Sequence, residues 1–126
     1  MKSILVLDDN KHILDALSEN LSRYLKNCNI MTATNGKKGA HIMSSTVVDL
    51  VLTDVDMPEE DGLLFIENTR KAYPGVPMCV MTGNCEPQVL ERLRALGVER
   101  LIQKPFLFDS LADVVRKELQ MDADTA

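Results

Sequence analysis

Five short apolar runs alternate along the chain with five stretches that carry apolar residues at helical spacing, and this alternation restricts the fold most. Three of the runs are almost continuously apolar, which is typical of strands covered on both faces of a sheet. The predicted strands are residues 3–7, 29–33, 49–53, 77–82 and 100–103, and the predicted helices are 11–25, 37–45, 63–72, 88–96 and 110–120. Such alternation favours a parallel sheet with helices on both faces and right-handed crossovers. The chain is therefore predicted to be a doubly wound α/β domain.

Capping signals mark several of the predicted helix ends. Asp9 or Asn10 could cap the first helix, and Asp109 is predicted to cap the last. Pro87 and Gly97 bracket the fourth helix in the usual order, proline at the start and glycine past the end. Residues 1–120 are expected to form one domain, and the polar tail 121–126 is expected to fray.

Charge and cysteine usage exclude several classes of function. A net charge of -5 argues against direct contact with nucleic acid, because phosphate binding needs a basic face. No apolar stretch is long enough to span a bilayer, and residues 1–3 lead straight into a strand, so neither a membrane partner nor a signal peptide is expected. Cys28, Cys79 and Cys85 lack CxxC spacing, which speaks against a disulfide framework or a zinc site. A reducing, cytoplasmic compartment fits best.

Acidic residues end two of the apolar runs, and a lysine follows a third. Asp8 and Asp9 come after the first run, Asp54 ends the third, and Lys104 follows the fifth. The carboxyl ends of parallel strands meet at one rim, where ligands bind in open α/β sheets. We therefore expect three carboxylates and one ammonium at this rim.

Such a cluster needs a compensating charge. If the three carboxylates converge within about 5 Å, each ionised pair repels by about 3 kcal/mol at an effective dielectric constant near 20. One lysine does not offset three carboxylates, so the cluster must protonate in part or hold a divalent cation. Oxygen ligands at an exposed rim favour Mg²⁺, which commonly keeps waters and a phosphate. A phosphate next to Asp54 suggests nucleophilic carboxylate chemistry that yields an aspartyl phosphate.

The order and spacing of these residues resemble the response-regulator receiver domains of two-component signalling. The motifs that carry the resemblance are Asp8-Asp9, Asp54, Thr82-Gly83, Lys104-Pro105-Phe106 and the segment 54–62. The resemblance covers residues 2–119 and includes the family's cis peptide at Lys104-Pro105. It implies a flavodoxin-like, five-stranded parallel sheet in the order 2-1-3-4-5 with five helices.

The resemblance implies a phosphorylation-activated switch. Asp54 would accept a phosphoryl group from a sensor histidine kinase or a phosphotransfer protein, Thr82 would offer its hydroxyl to the phosphoryl oxygens, and Lys104 would neutralise their charge. Such a domain is not an enzyme toward other substrates, since it catalyses only its own phosphorylation and slow autodephosphorylation. It would act on a downstream effector, and a phosphorylation-dependent dimer is one arrangement the resemblance allows.

The same resemblance assigns the Mg²⁺ ligands. Asp9 would bind Mg²⁺ directly, Asp8 directly or through water, Asp54 through its carboxylate, and Asp56 through its backbone carbonyl. The carboxylate of Asp56 could also order or repel a hydrolytic water. We therefore hypothesise that Asp56 affects the lifetime of the phosphoryl group.

One position departs from the family. Three residues before Lys104 the family usually carries Tyr or Phe, whose rotamer follows phosphorylation, whereas this chain has Leu101. The usual aromatic readout is in doubt, which lends support to an alternative function as a phosphorylation-independent pseudo-receiver that serves in docking. A second alternative is an aspartyl-phosphate phosphatase, because Asp54-Val55-Asp56 resembles the DxD of haloacid-dehalogenase-like enzymes. In that family the metal-binding acids follow the nucleophile strand, whereas here Asp8-Asp9 precede it.

Overall fold

A single sheet of five parallel strands organises the chain in the computed structural model, which describes residues 1–56, 62–83, 86–98 and 100–120. The strands are β1 (Lys2–Leu7), β2 (Cys28–Ala33), β3 (Leu50–Asp54), β4 (Met78–Thr82) and β5 (Arg100–Gln103), and their order is β2-β1-β3-β4-β5. The helices are α1 (Lys11–Tyr24), α2 (Gly36–Ser45), α3 (Gly62–Ala72), α4 (Pro87–Ala95) and α5 (Phe108–Leu119). This architecture confirms the predicted flavodoxin-like fold. The predicted fraying of the tail concerns residues outside the described part of the chain.

Alternate residues of strands β1 to β4 pack into two separate hydrophobic layers. Ile4 and Val6 of β1 pack with α1 and α5 on one face of the sheet. Leu5 and Leu7 pack on the other face, with α2, α3 and α4. Every residue of β3 and β4 is buried, as expected for strands covered on both faces. The two layers hold the strands in register and so place their carboxyl ends along one rim.

The helix starts are only partly as predicted. Asn10 caps α1, since its Oδ1 accepts from the backbone N–H groups of His12 and Ile13 at 3.0 and 3.3 Å. The predicted Asp109 cap is wrong: α5 begins at Phe108, and Asp109 lies in the first turn. Phe108, the first residue of α5, is partly buried against the hydrophobic layer that α1 and α5 form on the sheet. Within the described residues, no helix has the length and apolar character to cross a membrane.

Helix α3 begins directly against the segment that follows Asp54. A Cβ atom on Gly62 would lie 2.6 Å from the backbone oxygen of Val55 and 2.9 Å from its Cα. Backbone atoms give way far less easily than the end of a side chain, so a residue without Cβ is needed at this contact. The glycine thereby sets how closely α3 approaches the end of β3.

Candidate functional site

The acidic residues and the lysine singled out by the sequence lie at the carboxyl edge of the sheet. Strand β1 has β2 on one side and β3 on the other, so the connections from β1 and from β2 run to opposite sides of the sheet order. In open α/β folds this change of direction leaves a crevice beyond the strand ends where ligands bind. Asp8 and Asp9 follow β1, and Asp54 ends β3 beside them.

Asp54 is a buried carboxylate with both oxygens engaged. It is 3% exposed, and its Oδ1 accepts from the backbone N–H of Asp56 at 2.9 Å. Its Oδ2 lies 2.9 Å from Nζ of Lys104, which follows β5. The Lys104–Pro105 peptide bond is cis, as the resemblance to receiver domains implied. The expected ammonium therefore reaches the expected carboxylate across β4.

Asp8 and Asp9 complete a three-carboxylate cluster with Asp54. One carboxylate oxygen from each residue lies within 4.8 Å of the other two. Asp8 is 1% exposed, and its Oδ1 accepts from the backbone N–H of Asn10 at 2.9 Å. Burial raises the pKa of Asp8, the Asn10 hydrogen bond lowers it, and the negative charge of Asp54 raises it further. Asp9 is exposed and faces the solvent side of the cluster.

The donor set fits a divalent cation. Oδ2 of Asp8 is buried and has no hydrogen-bond partner among the described residues, which is a costly state for a carboxylate oxygen. Three carboxylates with Lys104 as counter-charge leave a formal excess of two negative charges if all four groups are ionised. A cation of charge +2 would balance this excess and supply the partner that Oδ2 lacks. The ligands are all oxygen, as Mg²⁺ requires.

Thr82 and Gly83 occupy the end of β4, between Asp54 and Lys104 in the sheet order. The Thr82 side chain is buried, and its backbone oxygen accepts from the N–H of Lys104 at 2.9 Å. β3 and β4 pair in parallel, with Asp54 opposite Met81. The predicted hydroxyl is therefore present at the same edge as the carboxylates.

Asp56 holds a contact that the sequence did not reveal. Its Oδ2 accepts from the backbone N–H of Gly83 at 3.0 Å. In the sequence, Thr82-Gly83 is recognisable only as a motif. No spacing pattern predicts that Gly83 contacts Asp56, because the two residues are far apart in the chain. The hypothesis that the Asp56 carboxylate affects phosphoryl lifetime stays a prediction.

Leu101 lies on β5, away from the carboxylate cluster. Its side chain is 46% exposed, and it lines a groove of about 220 Å³ between β5 and α4 with Leu90, Leu93, Arg94 and Val98. An aliphatic side chain therefore lies at the surface position where the family usually carries an aromatic one. Its role as a switch position stays a prediction.

Comparison with known proteins gives a consistent family. A family model described as the response regulator receiver domain matches residues 4–116. Regulatory protein AtoC of Escherichia coli (strain K12) is 28% identical over 120 residues, which are 95% of this chain and 26% of that protein. Sensor histidine kinase RcsC of Escherichia coli is 28% identical over 121 residues, 96% of this chain and 12% of that protein. The chain thus spans about a quarter or less of these curated relatives.

Solved structures show the same fold. A CheY-like response regulator receiver domain protein from Methanospirillum hungatei JF-1 superposes with a TM-score of 0.89 at 23% identity, covering 95% of this chain and 94% of the other. Response regulator protein TrrA from Thermotoga maritima, solved in complex with Mg(2+)-BeF, superposes with a TM-score of 0.82 at 30% identity. That match covers 94% of this chain and 99% of TrrA.

Proposed function

The chain belongs to the response regulator receiver domain family of two-component systems, and on this basis we propose that it is a phosphorylation-activated switch whose acceptor is Asp54. The proposal rests on the charged groups that surround the Asp54 carboxylate. This carboxylate lies 2.9 Å from the Lys104 ammonium and within 4.8 Å of the Asp8 and Asp9 carboxylates. A carboxylate between an ammonium and a divalent-cation site is suited to receive a phosphoryl group.

The transfer is a displacement at phosphorus. An Asp54 oxygen forms the new P–O bond while the bond from phosphorus to the donor's imidazole nitrogen breaks, and that imidazole keeps the electron pair. Lys104 remains beside the acceptor and neutralises charge on the phosphoryl oxygens, and the Thr82 hydroxyl turns toward the same oxygens. Mg²⁺, when held by Asp8, Asp9, Asp54 and the backbone carbonyl of Asp56, supplies further charge neutralisation.

The phosphoryl donor in this proposal is a sensor histidine kinase or a phosphotransfer protein. Support comes from the relatives, which include a sensor histidine kinase, RcsC, and a regulatory protein, AtoC. The chain itself is proposed to catalyse only its own phosphorylation and slow dephosphorylation. A downstream effector, or a dimer formed on phosphorylation, then carries the signal.

Phosphorylation changes the charge of a buried site. A phosphoryl group adds about -1.5 to -2 charges at Asp54, which draws Thr82 and Lys104 inward and shifts the loops after β3 and β4. The surface formed by α4, β5 and α5 is then presented in a different arrangement. The signal is a shift in the population of two arrangements of this surface.

A second candidate function has one observation in its favour. Leu101 is exposed on β5 without a ring or phenol to report the state of Asp54. A pseudo-receiver that docks a partner without being phosphorylated would need no such readout. The acid, hydroxyl and ammonium set around Asp54 favours the switch, so the pseudo-receiver is the runner-up.

Intact mass spectrometry tests the proposal. The protein is incubated with Mg²⁺ and acetyl phosphate, with the Asp54→Asn variant as the matched control. We expect one labile phosphoryl adduct on the wild type, none on the variant, and none when EDTA removes Mg²⁺. Failure of the wild type to take up phosphate, together with failure to bind beryllofluoride, would favour the pseudo-receiver, whereas rapid turnover of unrelated phosphate esters would favour a phosphatase.

A further inference from the structure

A carboxylate–amide hydrogen bond joins the loops that follow β3 and β4. Asp56 lies two residues after Asp54, and its Oδ2 accepts from the backbone N–H of Gly83 at 3.0 Å. The backbone N–H of Asp56 in turn donates to Oδ1 of Asp54 at 2.9 Å. The Gly83 amide is therefore connected to the candidate phosphoacceptor through a single residue.

The register of the sheet places Gly83 at the same carboxyl edge as the acceptor. Asp54 pairs with Met81 of β4, so Gly83 begins the loop two residues beyond that partner. Backbone N–H groups at such a strand end are natural donors to anions. A phosphoryl group on Asp54 would bring three strong acceptor oxygens to this edge. The Asp56 carboxylate already occupies one of the backbone donors at this edge.

We propose that Asp56 is a positioning residue whose carboxylate competes with the phosphoryl group for the Gly83 N–H. In the resting protein, this bond holds the loop after β4 to the loop after β3. When Asp54 is phosphorylated, the new anion repels the Asp56 carboxylate and takes its place on the amide. This release rests on the proposed function of Asp54, whereas the bond in the resting protein does not.

The hydrogen bond between Asp56 and Gly83 lies where it can break without leaving a buried polar group. Asp56 and Gly83 are both exposed, so water can take over either group when they separate. Helix α4, which begins at Pro87 beyond this loop, buries one side chain along its length, Leu93. By comparison, α1 buries three side chains and α5 buries four. Fewer buried side chains thus anchor α4 than anchor α1 or α5.

Two substitutions of Asp56 separate the hydrogen bond from the charge. Asp56→Asn loses the charge but keeps an oxygen that can accept from Gly83, whereas Asp56→Ala loses both. Asp15→Ala, an exposed acid on α1, controls for the loss of one negative charge. The first readout is hydrogen exchange of the Gly83 amide, measured by NMR without Mg²⁺ or phosphodonor. The second is the affinity for beryllofluoride at saturating Mg²⁺.

We expect the Gly83 amide to exchange about two- to tenfold faster in Asp56→Ala than in the wild type, as the loss of one hydrogen bond predicts. Beryllofluoride should bind Asp56→Ala about two- to tenfold more tightly than Asp56→Asn, because both variants lack the charge and only one keeps the competing acceptor. Unchanged Gly83 exchange in Asp56→Ala would refute the resting bond. Equal affinities of the two variants would refute the competition.

The two proposals fail in different ways. A wild-type protein that takes up neither beryllofluoride nor a phosphoryl group refutes the proposed function and, with it, the release of the Gly83 amide. Gly83 exchange still decides whether the resting bond exists, since it is measured without either ligand. A wild type that binds beryllofluoride while Asp56→Ala and Asp56→Asn behave alike refutes the competition alone.

Discussion

Asp8 shows how a single residue can be poorly placed for stability and well placed for binding. Its carboxylate is buried, and Oδ2 has no hydrogen-bond partner among the described residues. Burial and the nearby charge of Asp54 both raise its pKa, since each disfavours the ionised form. The sequence could predict that an acid would follow β1, but it could not predict that one oxygen would be left without a partner.

Replacing Asp8 by asparagine should stabilise the metal-free protein. Asp8→Asn keeps the shape of the side chain and removes a buried charge that repels Asp54, so we expect a gain of about 1 kcal/mol in the free energy of unfolding at neutral pH. Because the pKa of Asp8 is raised in the folded state, the destabilisation is fully present above that pKa. The advantage of Asp8→Asn should therefore shrink as the pH falls toward the ordinary value of 3.8.

Urea unfolding with EDTA, repeated over a pH series, measures this effect. Asp15→Asn, which removes an exposed acid of α1, is the matched control and should change stability little. An Asp8→Asn variant that is less stable than the wild type without metal would contradict a destabilising charge at Asp8.

At the scale of elements, two contacts fix how α3 and α4 sit on the sheet. Gly62 lets α3 begin against the backbone of Val55. Arg70, near the end of α3, donates to the backbone oxygens of Leu96 and Gly97 just beyond α4, at 3.2 and 2.9 Å. It also reaches the backbone oxygens of Pro74 and Val76 before β4. The carboxyl end of α4 is thus tied to α3.

The close approach at Gly62 predicts a cost for any larger residue. In Gly62→Ala the new Cβ would meet the Val55 backbone oxygen at 2.6 Å, so α3 or the segment after Asp54 must move. We expect a loss of about 1 to 3 kcal/mol in the free energy of unfolding, as is usual for an overpacked contact. Gly75→Ala is the control, because nothing lies within 4 Å of its new Cβ. Equal melting temperatures of the two variants would be inconsistent with a tight contact at Gly62.

The contacts of Arg70 predict a loss of stability that lysine does not restore. Arg70→Ala removes a guanidinium that spans several carbonyl oxygens, and we expect a loss of roughly 1 to 3 kcal/mol. Arg70→Lys should recover only part of it, since an ammonium cannot reach the same set of acceptors. Arg23→Ala, which breaks an exposed ion pair with Glu19, should cost less than about 1 kcal/mol. Urea unfolding of the three variants checks the order, and full recovery by lysine would count against the multiple contacts.

At the scale of the whole molecule, the cluster of Asp8, Asp9 and Asp54 couples cation binding to folding. The three carboxylates come from the ends of β1 and β3 and meet only when the sheet is formed. A cation that binds this cluster favours the folded chain over the unfolded one. The site is therefore expected to report its occupancy through the stability of the entire domain.

Mg²⁺ should raise the melting temperature, and the gain should grow with the logarithm of the free Mg²⁺ concentration above its Kd. At a free concentration 100 times its Kd, the gain would be about 2.7 kcal/mol by mass action. Asp9→Asn should lose most of this gain, because it removes one of the three carboxylates, while Asp15→Asn should keep it. Thermal unfolding over a series of Mg²⁺ concentrations measures the effect, and EDTA should reverse it. A melting temperature of the wild type that does not respond to Mg²⁺ would argue against a cation at this site.

Most of the fold could be predicted because its signals are local. Continuous apolar runs indicated buried strands, and helical spacing indicated the helices between them, so all five of each were anticipated. The exception at Asp109 has a physical reason. A capping preference is worth only about 1 kcal/mol, so other interactions can override it, and here α5 begins at Phe108, which is partly buried against the core.

The meeting of acidic residues and a lysine at the sheet edge could be predicted without any knowledge of the packing. Asp8, Asp9, Asp54 and Lys104 were predicted from the strand ends to share one rim, because the carboxyl ends of parallel strands lie along the same edge, and the resemblance to receiver domains added Thr82. The folded molecule alone shows that Gly83 donates to Asp56 and that one buried oxygen of Asp8 has no partner among the described residues. The Gly83–Asp56 bond joins segments far apart in the chain. Both features depend on loop paths and packing distances that no local pattern encodes.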